Sequence, residues 1–289
     1  MDAIGRIERT LSAAVAAASG PGGPPLLAGA MSHAVFPRGA RVRPRLALAV
    51  AAACGDDDPA ASDGAAAAIE LLHCASLVHD DLPCFDDAGT RRGRPSVHRA
   101  FGEPLAVLAG DALIVLAFQT VASGAQRSPL RLPLLMLVLS RAVGMPHGIA
   151  AGQAWESETD VDLGEYQRAK TGALFAAATM AGAAAAGFDP QPWRALGEQL
   201  GEAYQVADDL ADVLSDTAEQ GKPVGRDSAL GRPNAVLSLG VAGAMQHFES
   251  LAAAAADSIP ACPGAASLKA LTLSEARRLL PRDLSQRAA

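Results

Sequence analysis

Alanine dominates the apolar side of this chain and decides what it can fold into. Runs such as Ala65–Ala68 and Ala252–Ala256 recur, whereas Phe, Trp and Tyr together make up only 4% of the residues. Alanine is the best helix former and a poor strand former. Half of the residues are hydrophobic, far too many for a disordered chain. No segment alternates apolar and polar residues over the length of a strand. An all-α fold of close-packed helices follows.

The helical spacing of Ile4, Ile7, Leu11 and Val15 predicts a first helix over residues 1–19, stopped by the Gly/Pro stretch 20–25. Further helices are expected from Pro44 to Gly55 and over 62–82, 105–121, 130–143, 163–186, 192–215, 232–256 and 265–280. A length of 289 residues fits one large domain or two small ones. No linker divides the chain, so a single domain over 1–289 is expected.

A net charge of −7 and a pI near 5.4 argue against nucleic acid as a partner, because nonspecific binding there rests on Lys and Arg. The longest apolar runs are broken by alanine and glycine, so no integral membrane segment is expected. Residues 1–6 lack the basic start and apolar core of a secretory signal. The four cysteines, Cys54, Cys74, Cys84 and Cys262, form no CxxC pair, which points to reduced thiols and a cytoplasmic location.

Two acidic clusters interrupt the apolar pattern. Asp80-Asp81-Leu82-Pro83-Cys84-Phe85-Asp86-Asp87 ends an apolar helix, and Asp208-Asp209-Leu210-Ala211-Asp212 lies inside another. Residues four apart, such as Asp208 and Asp212, share one helical face. Neighbouring like charges repel, and a helix C-terminus disfavours anions further, so each cluster calls for a cation. Hard carboxylate oxygens suit Mg²⁺, which shares its remaining positions with water and phosphate. The run Asp56–Asp58, between Gly55 and Pro59, reads instead as a solvated turn.

Basic residues accompany both clusters. Arg91, Arg92 and Arg94 follow the first, Lys170 precedes the second, and Lys222, Arg226 and Arg232 follow it. Arg41 and Arg43 lie near the N-terminus. In an acidic chain, cations repeatedly placed beside carboxylates suggest diphosphate clamps, with Arg binding as a fork and Lys as a point charge.

The segments Leu72–Pro83, Arg91–His98, Leu108–Leu113 and Tyr204–Asp209 resemble the trans-isoprenyl diphosphate synthase family, in particular its bacterial geranylgeranyl and farnesyl members. The likeness runs from about Phe36 to Asn234. It implies a helical bundle around a deep central cavity, a homodimer, and three Mg²⁺ between facing aspartate motifs. Asp80, Asp81 and Asp86 match the first metal motif, and Asp208, Asp209 and Asp212 the second. Arg91, Lys170, Thr171, Gln205, Lys222 and Arg232 match positions that hold the allylic diphosphate. Arg43, His73 and Arg92 match those that hold isopentenyl diphosphate. The chemical step is thereby expected of Asp80, Asp81, Asp208, Lys170 and Lys222.

One departure stands out. The family reads GGKRxRP where this chain has Arg38-Gly39-Ala40-Arg41-Val42-Arg43-Pro44, so Ala40 replaces a lysine that contacts isopentenyl diphosphate. Arg38 or Arg41 is the candidate substitute, and a weaker affinity for that substrate is expected. Glu156 stands where the family usually has aspartate, and Arg226 and Arg232 where it often has lysine.

Preplaced cations turn diphosphate into a good leaving group, so no side-chain nucleophile is required. His73, His79 and His98 are accordingly expected to bind or support, not to act as bases. Chain length is expected to depend on Ala75 and Ser76, five and four residues before Asp80. By the resemblance, farnesyl-type enzymes tend to carry an aromatic ring there, so small residues favour a C20 product over C15. Leu71, Leu72 or Phe118 would form the next floor. The alternatives are a farnesyl diphosphate synthase, a noncatalytic subunit of a heteromeric synthase and, behind them, a terpene cyclase.

Overall fold

The computed structural model describes residues 2–36, 39–160, 162–214 and 234–280. Among these the regular structure is helical, apart from a two-stranded hairpin of two residues per strand. It divides into two compact units: residues 1–141 with 177–190, and residues 142–176 with 191–289.

The first unit contains α1 (Ala3–Ala18), α2 (Pro25–Val35), α3 (Val42–Cys54), α4 (Pro59–Asp80), the hairpin β1 (Thr90–Arg91) and β2 (Arg94–Pro95), α5 (Val97–Phe101) and α6 (Glu103–Gly124). Most of α7 (Leu132–Val143) and the second half of α10 (Ala173–Ala185) also belong to it. The core is built on α4, whose Ala65–Ala68 run is fully buried. Small residues let backbones touch. A Cβ on Gly64 would lie 3.0 Å from the Thr120 carbonyl oxygen of α6, and one on Gly182 would overlap the Ala47 carbonyl of α3.

Helix α2 lies in a stretch where the proline- and glycine-rich segment signalled only a stop. Pro25 is its first residue, a position where the missing N–H of proline costs nothing. The expectation of a solvated Asp56–Asp58 turn is also corrected. Asp56 pairs with Arg6 at 3.1 Å, Asp57 with Arg131 at 2.7 Å, and Asp58, 6% exposed, accepts a hydrogen bond from Ser128. These acids fasten the α3–α4 corner to α1 and to the segment that follows α6.

By length and composition one helix, α6 with the turn after it, Glu103–Arg127, could cross a membrane, a test that the core helix of a globular fold also passes. Ala106, Ala109, Leu113, Ala117 and Val121 are nonetheless buried, as in a core helix.

The second unit contains α8 (Ile149–Ala154), α9 (Leu163–Gln167), the first residues of α10, α11 (Arg194–Leu214), α12 (Ala235–Asp257) and α13 (Ala265–Arg277). Its core joins Ala203, Val206, Ala207 and Leu210 of α11 to Val236, Ala244 and Phe248 of α12 and Ala276 of α13. The helix predicted over 163–186 is continuous but contains a π-turn at Arg168–Gly172, between α9 and α10. Such turns within helices are frequent at functional sites.

Candidate active site

The first carboxylate cluster stands where α4 ends. Asp80 is the last helical residue and Asp81 its cap. The chain then folds back on itself, with the Asp86 N–H donating to the Asp80 carbonyl at 3.0 Å and the Ala88 N–H to that of Asp81 at 3.2 Å. The Asp81 side chain is 3% exposed and held by Arg91, with Nη2 at 2.5 Å and Nε at 3.0 Å. Arg91 Nη2 also lies 4.0 Å from Asp80. Burial pushes the Asp81 carboxyl above the usual carboxylate range, against the downward pull of Arg91. On Arg91, burial is outweighed by the hydrogen bond and charge of Asp81 and by Asp80 and Asp86, so its pKa rises.

Arg91 owes its place to the hairpin. β1 pairs antiparallel with β2 across a two-residue loop, Arg92-Gly93, whose φ angles are 53° and 73°. Positive φ at both loop positions suits the right-handed twist of a tight hairpin. Glycine adopts it freely, whereas Arg92 does so at a cost of about 1 kcal/mol.

The sequence-matched isopentenyl diphosphate residues gather in the same unit. Arg43 Nη1 is 3.5 Å from His73 Nε2. The His73 pKa is driven well below the ordinary histidine value by burial and then by Arg43, Arg92, Arg91 and Arg41, so the ring is neutral. Arg92 Nη2 lies 3.6 Å from Glu70. Ala40 is exposed. Arg41 does not replace the missing lysine: its side chain is fully buried, with Nε on Glu8 at 3.0 Å, Nη1 on Glu70 at 2.5 Å and Nη2 on the Val35 carbonyl at 3.0 Å. Arg38 lies outside the described residues.

Around this cluster the histidines are supporting residues. His79 Nε2 is 3.2 Å from the Val107 carbonyl, and its ring covers Gly110, where a Cβ would overlap it. His98 is buried beside Ser96 and 3.6 Å from Asp87. Of the expected chain-length residues, Leu72 and Ala75 are buried and Ser76 and Phe118 are partly so. The Ser76 hydroxyl donates to the His73 carbonyl at 2.8 Å, a local helix bond rather than a nucleophile's relay.

The second cluster lies in the last turns of α11. Asp209 is 3% exposed, and each of its oxygens accepts a hydrogen bond, from Gln205 Nε2 at 3.1 Å and from the Ala235 N–H at 2.7 Å. Asn234 caps α12 beside it through the N–H groups of Val236 and Leu237. Asp209 therefore joins α11 to the start of α12, while Asp208 and Asp212 remain partly exposed. Gln205 continues the chain of contacts, its Oε1 accepting from Thr171 at 3.3 Å.

Lys170 and Thr171 sit in the π-turn. Gly152 of α8 abuts it so closely that a Cβ would reach the Lys170 backbone. Lys170 Nζ pairs with Glu156 at 2.5 Å, and Glu156 also accepts from Tyr166 at 2.6 Å and from Gln153 at 2.9 Å. Glu156 as the hub for Lys170 was visible in sequence only as a milder departure. Glu70 was missed, although a lone acid inside the apolar run Ala65–Leu72 was a signal. Lys222, Arg226 and Arg232 lie outside the described residues.

The donor set fits a hard divalent cation. Among the described residues no three His, Cys, Asp or Glu side chains close into a cage. Carboxylates in adjacent pairs suit Mg²⁺, which takes one or two of them and completes its shell with water and phosphate. A carboxylate has about four lone-pair sites, so an Asp209 oxygen can accept more than one contact.

The polyprenyl synthetase family matches residues 24–259. A geranylgeranyl diphosphate synthase of Cereibacter sphaeroides is 53% identical over 98% of both chains. One from Rhodobacter capsulatus is 51% identical over 95% of both. Among solved structures, a geranyltransferase of Helicobacter pylori complexed with magnesium and isoprenyl diphosphate superposes with a TM-score of 0.77 at 28% identity, covering 95% of this chain and 97% of that one.

Proposed function

This chain belongs to the polyprenyl synthetase family, and we propose that it condenses isopentenyl diphosphate head to tail with allylic diphosphates to give geranylgeranyl diphosphate. The observation that carries this reading is 53% identity to a geranylgeranyl diphosphate synthase over 98% of both chains. The family generally depends on Mg²⁺, and the paired carboxylates are suited to it.

Asp80, Asp81 and Asp86 with Asp208, Asp209 and Asp212 would hold Mg²⁺, three ions per site, which supplies positive charge to the oxygens of the leaving diphosphate. Arg91, Lys170, Thr171, Gln205, Lys222 and Arg232 bind the allylic diphosphate in this reading. Arg91, already tied to Asp81, is shared between carboxylate and substrate. Arg43, Arg92 and neutral His73 take the isopentenyl diphosphate. The allylic C–O bond breaks, the double bond of isopentenyl diphosphate attacks the resulting cation, and a proton passes to the departing diphosphate. The new C–C bond replaces the C–O bond, and no side chain is alkylated.

In this reading Ala75 and Ser76, both small, admit a C20 tail, and Leu72 and Phe118 form the next floor. The family match runs through residues of both compact units, which supports one functional domain. A homodimer fits the exposed apolar strip Val107, Leu108 and Val115 on α6. Four free thiols fit the cytoplasm.

Incubation with isopentenyl diphosphate, Mg²⁺ and each of the C5, C10 and C15 allylic diphosphates tests the reading. A C20 product from each is expected; arrest at C15, or no product from the purified chain, would sink it. Ala75→Phe is expected to shorten the product, and continued C20 output would remove Ala75 from the chain-length role.

A further inference from the structure

We infer that Glu70 is a positioning residue for the isopentenyl diphosphate subsite, acting through Arg41 and Arg92; the inference rests on the reading of that subsite given above. Glu70 is 2% exposed in the middle of α4. One of its oxygens, Oε1, receives Arg41 Nη1 at 2.5 Å, lies 3.6 Å from Arg92 Nη2 and is 3.9 Å from the Cys74 thiol. Burial and then this carboxylate push the Cys74 thiol up to about 12, so it stays neutral. One carboxylate thus faces two guanidinium groups from separate parts of the chain, sharing that of Arg41 with Glu8.

Both arginines adopt the left-handed conformation, with φ of 51° at Arg41 and 53° at Arg92. Side chains seldom adopt it, and it persists where surrounding contacts over-determine it. For Arg41 those contacts are Glu8, Glu70 and the Val35 carbonyl, which take up all three of its nitrogens. For Arg92 they are Glu70 and Gly39, since a Cβ on Gly39 would lie 2.9 Å from the Arg92 guanidinium carbon. The guanidinium therefore lies across bare backbone.

Arg41 caps α3, so fixing it also fixes Arg43 two residues later, 3.5 Å from His73. Arg92 is the tip of the β1–β2 hairpin. The spacing of two cations, Arg43 in the first turn of α3 and Arg92 on the hairpin, is thereby referred to Glu70. The same negative charge relieves repulsion among Arg41, Arg43 and Arg92. With Ala40 in place of the usual lysine, this subsite depends more heavily on where its remaining cations stand.

The test is Glu70→Gln, which keeps the shape and removes the charge. Steady-state kinetics should show KM for isopentenyl diphosphate raised about tenfold, the scale of a lost charged hydrogen bond, with KM for the allylic substrate nearly unchanged. Calorimetric binding of isopentenyl diphosphate without allylic substrate should weaken equally. Equal rises in both KM values, or none, overturn the proposal. A wild-type chain that binds isopentenyl diphosphate but makes no product would defeat the enzyme reading while leaving this one standing. A wild-type chain that does not bind it defeats both. If Glu70→Gln does not fold, Gly39→Ala leaves the Glu70–Arg41 pair in place and displaces only the Arg92 guanidinium. It must raise the same KM selectively, and an unchanged value contradicts the proposal.

Discussion

The two carboxylate clusters share a composition and differ in how the fold restrains them. In the first, at the end of α4, the buried member Asp81 is neutralised by a side-chain cation, Arg91, delivered by a hairpin. In the second, on α11, the buried member Asp209 is bonded to a side-chain amide and to the backbone N–H that opens α12. A guanidinium can turn from carboxylate to substrate; a helix start cannot. Under the proposed function the first cluster is thus suited to exchange partners, and the second to hold Asp209 fixed while Asp208 and Asp212 serve the ligand.

The largest effect should come from the partly exposed acids. Asp80→Ala and Asp208→Ala are each expected to lower kcat/KM for condensation by about a thousandfold, the scale of losing charge stabilisation in the transition state. Their melting temperatures should stay near that of the parent. A thermal shift as large as the loss of activity would make these residues structural.

Asp209→Ala should separate the clusters. It leaves Gln205 and the Ala235 N–H without their acceptor, at a cost of about 2 kcal/mol in denaturant unfolding. Asp81→Ala should cost less, because Arg91 is partly exposed and can turn to solvent. The reverse order would break the comparison.

Smaller effects probe the arginine-crowded region beside the first cluster. Ala40→Lys is expected to lower the apparent KM for isopentenyl diphosphate about threefold, as one more exposed cation would; an unchanged value would separate the departure at position 40 from affinity. The smallest effect concerns His73. Burial and four arginines depress its folded-state pKa, so the unfolded chain binds a proton that the folded chain refuses. That stability is present above the unfolded value of about 6.5 and is lost on acidification below it. The melting temperature of His73→Gln should therefore gain on the parent between pH 7 and pH 5. A constant difference would show His73 titrating normally.

Much of this was legible in the residues themselves. Alanine runs and helical spacing located most long helices within a few residues, and the Asp pairs stood out because like charges rarely adjoin amid apolar neighbours. Proline-led α2 escaped because the signal that ends one helix can also begin the next. Asp56–Asp58 was misread because its partners, Arg6, Ser128 and Arg131, are distant in sequence. Arg41 was misread for the same reason: Glu8 and Glu70 lie 33 and 29 positions away. Charge type is local information, whereas whether a charge faces substrate or a buried partner is settled only by packing. Glu156 and Glu70, both acids that position cations, fall in that class.

The proposed function requires both clusters to act on one diphosphate. A double-mutant cycle on the condensation rate tests it most directly. If Asp80 and Asp208 work as a unit, the Asp80→Ala, Asp208→Ala double variant should be about as slow as either single variant, since removing one already dismantles the shared site. Losses that multiply, to about a millionfold, would show two independent sites and contradict the account.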